Sequence, residues 1–240
     1  MTTAIIIISH KGGDILPLQI KHYRKFCKDD DFDIVVVDNS NQEEESRAVR
    51  FYAKEGGCQY MITKSGDRQP SMNHAFAANM ALTKYGDTPF MMFSDHDLFP
   101  VKEFRISDYL KDKTCAGLPQ YRKCGEKEYH YFWPGLLMLD TGKLKDKELN
   151  FYPTKIDNVM LDTGGCFYHT LQSLPDNEYI FFDEVYVDNP GFRKGRYGFY
   201  SMMAGETFMH FIGGSNWMGE QEHEDRMNSL KNELKNRSGL

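Results

Sequence analysis

The chain has 240 residues, 40% hydrophobic and 27% charged, with a formal net charge of −6 at pH 7. That is the composition of a globular protein, and its acidic balance disfavours nucleic acid or an anionic membrane as partner, since both select basic surfaces. No Pro/Gly/Ser-rich linker divides the chain, so a single domain over 1–240 is expected.

The first apolar run, Ala4 to Ile8, is too short to span a bilayer and lacks the flanks of a signal peptide, so no integral membrane segment and no export are expected. It reads as a strand ending at Ser9-His10-Lys11-Gly12-Gly13, followed by a helix from Asp14, placed to cap it, to Cys27. A second strand, Ile34 to Val37, ends at Asp38-Asn39-Ser40-Asn41, and Gln42 to Lys54 reads as a polar helix. A short strand at Tyr60 to Ile62 gives way to a loop containing Lys64 and Arg68. Ser71 then suits the cap of a helix reaching Tyr85. A fourth strand, Phe90 to Phe93, completes an alternation that implies a largely parallel sheet with helices on both faces. Beyond Pro100 come short apolar pieces (Cys115 to Leu118, Gly135 to Leu139, Tyr179 to Phe182, Phe208 to Ile212), with a helix expected from Asp162 to Leu171. Met227, Leu230 and Leu234 form one narrow stripe on a polar C-terminal helix over 219–240, expected to pack on the domain. Cys27, Cys58, Cys115, Cys124 and Cys166 form no Cys-x-x-Cys pair and read as free thiols of a reducing compartment, with the cytoplasm as the expected location.

The fourth strand runs into Ser94-Asp95-His96-Asp97. If the segment stays extended, Asp95 and Asp97 share a side and could converge on one hard divalent cation, with His96 turned away. Two acidic residues kept for solubility are the plain alternative. The loop after the first strand lacks both Gly-x-Gly-x-x-Gly and Gly-Lys-Ser/Thr, which disfavours a dinucleotide oxidoreductase and a P-loop enzyme.

At this point the chain resembles the GT-A class of nucleotide-sugar glycosyltransferases, in its family-2-like, Asp-x-Asp form. The residues that carry the resemblance are Ile5 to His10, Val35-Val36-Val37-Asp38-Asn39-Ser40, Ser71-Met72-Asn73-His74-Ala75 leading into Asn79, Gly86-Asp87, and Ser94-Asp95-His96-Asp97. It implies a Rossmann-like, mostly parallel α/β sheet with a mixed α+β second half. Residues 1–100 would form the nucleotide-binding half and 101–240 the acceptor and metal half. It also implies a hexosyltransferase using a nucleoside-diphosphate sugar, with a UDP-sugar the expected donor, and a glycan or lipid-linked glycan acceptor, as in polysaccharide biosynthesis. Mn²⁺ or Mg²⁺ would be the cofactor, with Asp97 as ligand and Asp95 near the ribose. Asp38 matches the acidic residue that contacts the base or ribose, and Ser9, Lys64, Arg68 and Asn73 complete the expected donor set.

Two later segments extend the resemblance. His210-Phe211-Ile212-Gly213-Gly214-Ser215-Asn216-Trp217 looks like a C-terminal His-aromatic-x-Gly segment whose His binds metal or the diphosphate, although it departs from the form ending Lys-Pro-Trp. The metal set implied is Asp97, Asp95 and His210. Asp162, in Leu161-Asp162-Thr163-Gly164-Gly165, matches the general base of inverting members, a role the chemistry requires because a hydroxyl is a poor nucleophile until deprotonated. Asp162 is equally suited to a helix cap, and Asp157 is a second candidate base. Tyr131, Trp133 and Gly135, in the aromatic segment Tyr129 to Gly135, are the acceptor candidates, with core packing as the competing role. The loop 189–198, with Arg193, Lys194 and Arg196, could close over a diphosphate. A sugar nucleotidyltransferase and a non-catalytic nucleotide- or carbohydrate-binding relative are the alternative functions.

Overall fold

The computed structural model describes residues 2–11, 15–63, 69–187, 201–214 and 223–240. The first half runs β1 (Thr3–Ser9), α1 (Leu16–Phe26), β2 (Phe32–Asp38), α2 (Glu43–Glu55), β3 (Gln59–Ile62), α3 (Pro70–Tyr85) and β4 (Phe90–Asp95). The second half continues with β5 (Leu98–Pro100), α4 (Ile106–Leu110), β6 (Cys115–Cys124), β7 (Lys127–Asp140), β8 (Thr154–Ile156), β9 (Val159–Leu161) and α5 (Phe167–Gln172). It ends with β10 (Tyr179–Phe181), β11 (Glu184–Val187), β12 (Ser201–Ala204), β13 (Phe208–Phe211) and α6 (His223–Ser238).

Seven strands form the central sheet in the order β10-β6-β7-β4-β1-β2-β3. The neighbours β3, β2, β1 and β4 are mutually parallel, β10 is parallel to β6, and β7 alone runs against both β4 and β6. Every residue of β1 is buried, as a strand covered on both faces requires. Alternation along it divides the core. Ile5 and Ile7 pack with Ile20 and Tyr23 of α1 and Val49 and Ala53 of α2, while Ala4, Ile6 and Ile8 pack with Ala77, Ala78 and Ala81 of α3 and Phe167 of α5. The chain leaves β1 toward β2 and returns to β4 on the opposite side, so the crevice at the carboxyl ends of β1 and β4 is the sheet's switch point.

A second sheet, β11-β12-β13-β5, begins where β4 ends. Asp95-His96-Asp97 is therefore the corner between two sheets. Helix α1 clamps that corner: the Gln19 amide donates to the carbonyls of Asp95 (2.6 Å) and Leu98 (2.7 Å) and to Ser94 Oγ (3.2 Å), and Tyr23 Oη donates to Ser94 Oγ at 2.8 Å. The stripe of α6 faces the core as expected, Met227, Leu230 and Leu234 packing with Phe99, Met209 and Phe211.

Two local expectations need correction. The helix expected from Asp162 starts only at Phe167, because Thr163 to Cys166 form a turn in which Gly164 holds φ 91° against the Phe132 carbonyl, so Asp162 caps nothing. Ser71 lies inside α3, whose N-cap is Gln69, because Pro70 fits the first helical turn. Asp14 lies outside the described residues, as does the loop 189–198. No helix among the described residues is long and apolar enough to cross a membrane, and all five cysteines are free.

Candidate functional site

A cavity of about 1070 Å³ opens at the switch point, bordered by strand ends of both sheets. Its walls include His10, Asn39 and Asn41 from the ends of β1 and β2, and Asn73 and His74 from α3. The corner contributes Asp95, His96 and Asp97, β6 contributes Gln120, Tyr121 and Arg122, and Trp133, Asp162, Glu184, Tyr186 and His210 complete it. The acidic pair, Asp162 and His210, far apart in sequence, thus face one space.

Asp95 and Asp97 both border the cavity, although the segment between them is not extended. A tight turn follows β4, so alternation fails there, and His96, expected to turn away, borders the cavity as well. Asp95 Oδ1 lies 2.7 Å from His74 Nε2, and Asp97 Oδ1 lies 3.2 Å from His210 Nε2. The second pairing follows from register. β13 runs antiparallel to β5 with His210 opposite Leu98, and the Phe211 N–H donates to the Asp97 carbonyl at 2.8 Å. Asp97 Oδ2 accepts the Gly214 N–H at 3.0 Å, and a Cβ at Gly214 would stand 2.6 Å from Asp97 Cβ, so only glycine permits this approach.

Both imidazole–carboxylate approaches are ion-pair contacts without hydrogen-bond geometry; His74 Nε2, Asp97 Oδ1 and His210 Nδ1 are buried polar atoms with no hydrogen-bond partner. Burial opposes charge on each group, yet the mutual attraction prevails. His210 is raised, burial being outweighed by Asp97 and then Asp95, and His74 is raised, burial being outweighed by Asp95. Asp97 is held low, its burial outweighed by His210, His96 and the Gly214 N–H. Among the described residues no three His, Cys, Asp or Glu side chains form a ready-made cation cage. Hard cations in phosphate-handling sites, however, commonly take one or two carboxylates and fill the rest of their shell with water and phosphate oxygens. An unpartnered carboxylate oxygen beside an imidazole fits that donor set.

The expected donor residues divide. Asn73 borders the cavity, with its Oδ1 lacking a hydrogen-bond partner. Ser9 and Asp38 are fully buried and do not border it; Asp38 is occupied internally, accepting from the Ser40 N–H (2.9 Å) and from Tyr60 Oη (2.6 Å). Their neighbours His10, Asn39 and Asn41 take that wall instead. Lys64 and Arg68 lie outside the described residues, and Lys11 points its Nζ toward Glu45 at 3.8 Å.

Asp162 follows β9 with its Oδ1 accepting the Thr163 N–H at 2.8 Å and its Oδ2 lying 3.7 Å from Arg122. Asp157 sits instead in the β8–β9 turn, bound to Lys127 and Tyr129 and away from the cavity. Of the acceptor candidates, Trp133 alone reaches the cavity. Tyr131 is wholly buried, its hydroxyl accepting the Asp162 N–H at 3.0 Å. Gly135 lies beneath the Trp133 ring, where a Cβ would clash with the indole. The pairing of β6 with β7 slips between Gly117 and Pro119, opposite this segment, and such an irregularity re-aims a side chain. Trp133 then packs on the His210 ring, with centroids 4.9 Å apart. His74, although within a motif, carried no chemical signal of its own. Arg122 and Glu184 carried none, being ordinary charged residues of strands; the burial of Glu184 raises its carboxyl against the pull of Tyr186 and His210.

No protein-family model and no curated protein matches the chain. Among solved structures, a mannosyltransferase from Pyrobaculum calidifontis, PcManGT, in complex with GDP-Man and Mn²⁺, superposes with a TM-score of 0.52 at 14% identity, over 75% of this chain and 54% of that one. S. aureus TarS matches with a TM-score of 0.44 at 16% identity, over 63% of this chain and 30% of that one. The galactosyltransferase LgtC, in complex with donor and acceptor sugar analogs, matches with a TM-score of 0.41 at 17% identity, over 60% of each chain. The chain thus spans 30% and 54% of the lengths of TarS and PcManGT. The fold is that of the GT-A glycosyltransferases, a mostly parallel sheet flanked by helices.

Proposed function

We propose that this chain transfers a sugar from a nucleoside-diphosphate sugar, a UDP-sugar by preference, to a hydroxyl of a glycan or lipid-linked glycan, with inversion at the anomeric carbon. One observation carries the reading: the Asp97–His210 pair, the Asp95–His74 pair and Asp162 border a single cavity at the switch point of an α/β sheet. Residues 1–100 supply most of the nucleotide side in this reading, and 101–240 the acceptor side and His210.

Asp97 and His210, with Asp95 beside them, would hold Mn²⁺ or Mg²⁺. When bound, such a cation offsets the negative charge that builds on the diphosphate leaving group. The protein's own part is proton transfer and positioning. Asp162 accepts the acceptor hydroxyl's proton as its oxygen bonds to the anomeric carbon, while the bond to the donor phosphate oxygen breaks and its electron pair leaves with the diphosphate. Arg122 and the Thr163 N–H hold the Asp162 carboxylate in place. Asn73 and His10, which border the cavity, would meet the donor's polar groups. Trp133 packs on the His210 ring and so helps to hold the imidazole in place.

The test is thermal unfolding with UDP, GDP, dTDP and CMP, each with and without Mn²⁺, on the wild type and on Asp97→Asn. One nucleotide should raise the melting temperature by about 5–10 °C at ~100 times its Kd, and only with metal. Asp97→Asn should lose the metal-dependent increment. No shift with any nucleotide defeats the donor reading. For the chemical step, NMR of the product should show an inverted anomeric centre, and Asp162→Asn should lower kcat at least 100-fold. A retained configuration removes Asp162 as base, and binding without turnover or donor hydrolysis favours a non-catalytic relative.

A further inference from the structure

The smaller sheet turns one row of side chains toward the cavity. Tyr186 pairs with Met202, and Met202 with His210, across adjacent antiparallel strands, so all three share a face; Glu184, two residues before Tyr186, shares it too. All four border the cavity. With adjacent strands about 4.8 Å apart, Tyr186 stands roughly 10 Å from His210, about the span of a pyranose ring with its substituents. On the other sheet, Tyr121 of β6 borders the same opening. Tyr121 and Tyr186 are large side chains that are 61% and 45% exposed to solvent, the Tyr121 ring lying 6.2 Å from that of His130. Glu184, two residues along β11 from Tyr186 on the same face, is half-buried and accepts the Tyr186 hydroxyl at 3.1 Å.

Two solvent-exposed tyrosines and one half-buried carboxylate bordering the cavity are what a sugar ring requires: flat apolar surface for its C–H faces and an acceptor for its hydroxyls. Asp95 and Asp97 each have an imidazole, and Asp162 a guanidinium, within ion-pair distance, whereas Glu184 feels the His210 imidazole only at longer range and is held by the Tyr186 phenol. A carboxylate so placed repels an anionic sugar and accepts from a neutral one. We propose that Tyr121, Glu184 and Tyr186 form a subsite for a neutral hexopyranose of the acceptor, set one ring's span from the Asp97–His210 pair. The assignment rests on the transfer reading for the word acceptor, but the subsite itself is a matter of sugar binding. It moves sugar recognition from Tyr131 and Gly135, which are covered, to residues on two strands that the sequence did not single out.

Saturation-transfer NMR tests it directly, using methyl glycosides of glucose, galactose, mannose and N-acetylglucosamine, with methyl glucuronide as the anionic control. Each is tried without nucleotide and with UDP and Mn²⁺. At least one neutral glycoside should receive saturation on its ring C–H protons with UDP and Mn²⁺ present, and Tyr121→Ala and Tyr186→Ala should each reduce it at least five-fold. Glu184→Gln should reduce it similarly and narrow the difference between glucoside and glucuronide. Both tyrosines are at the surface, and unchanged melting temperatures of the unliganded variants verify folding. No neutral glycoside signal, a signal indifferent to these substitutions, or preference for glucuronide overturns the subsite. If nucleotides fail to stabilise the wild type but glycosides bind through these residues, the subsite stands and the transfer reading falls. If nucleotides bind and the glycosides do not, the subsite alone falls.

Discussion

Asp97 and His210 show how two ionisable groups can be charged inside a protein. Each alone would be driven toward its neutral form by burial; together, attraction reverses the sign for both. The consequences for stability differ by partner. His210 is raised above its ordinary 6.5, so its contribution is complete below that value and fades as pH rises through the raised one. Asp97 is lowered, so its contribution is complete above the ordinary carboxylate range and is lost as pH falls through the lowered value. The metal-free protein should therefore be most stable in mildly acidic solution. Its urea midpoint should decline from about pH 6 to pH 9, and Asp97→Asn should make that decline shallower. A flat wild-type profile over that interval contradicts the pairing. Asp-x-Asp itself was legible as a polar strand end, but which partner each carboxylate takes was not, because His74 and His210 reach it only through packing.

Among the elements, α1 and β4 fix the corner that carries the acidic pair. Gln19 is fully buried, and its amide group serves acceptors on both sides of the turn, so the corner's shape depends on a helix residue 76 and 79 positions away in sequence. Gln19→Leu would leave the Asp95 and Leu98 carbonyls without that donor, at a cost of about 1–3 kcal/mol measured by urea unfolding, and should also weaken metal-dependent nucleotide stabilisation. Unaltered stability would mean that water or backbone replaces the amide. The strands β1, β2 and β4 were legible because covered parallel strands read as unbroken apolar runs. The start of α5 was not, since Asp at a segment boundary serves turns as readily as caps. The aromatic run on β7 kept its alternation only up to the register slip, beyond which pattern no longer predicts direction.

At the scale of the whole molecule, the four-stranded sheet is sandwiched between the main core and α6. Phe99 of β5 and Phe211 of β13 lie with ring centroids 4.7 Å apart, and Leu230 and Leu234 of α6 join the same cluster. The helix thus backs the strand that delivers His210. Ending the chain after residue 222 would expose that cluster; with Met227, Leu230 and Leu234 each worth about 1.5–3 kcal/mol, a loss of about 5 kcal/mol is expected. The truncated protein should melt earlier and bind a hydrophobic dye, and should lose metal-dependent nucleotide stabilisation. A truncation that leaves the melting temperature unchanged would show that α6 contributes nothing to this cluster.

The sequence by itself determined the alternation of strands and helices, the parallel first half and the acidic strand end, because hydrophobic period and turn chemistry act over neighbouring residues. The tertiary structure alone decided that Asp38 turns inward while Asn39 and Asn41 face the cavity. It also decided that Tyr131 supports Asp162 and that Arg122, Glu184 and Tyr186 share a cavity with His210. Those meetings depend on cross-strand register and on the angle between two sheets. Both are set by how whole faces pack, which no local run of residues encodes.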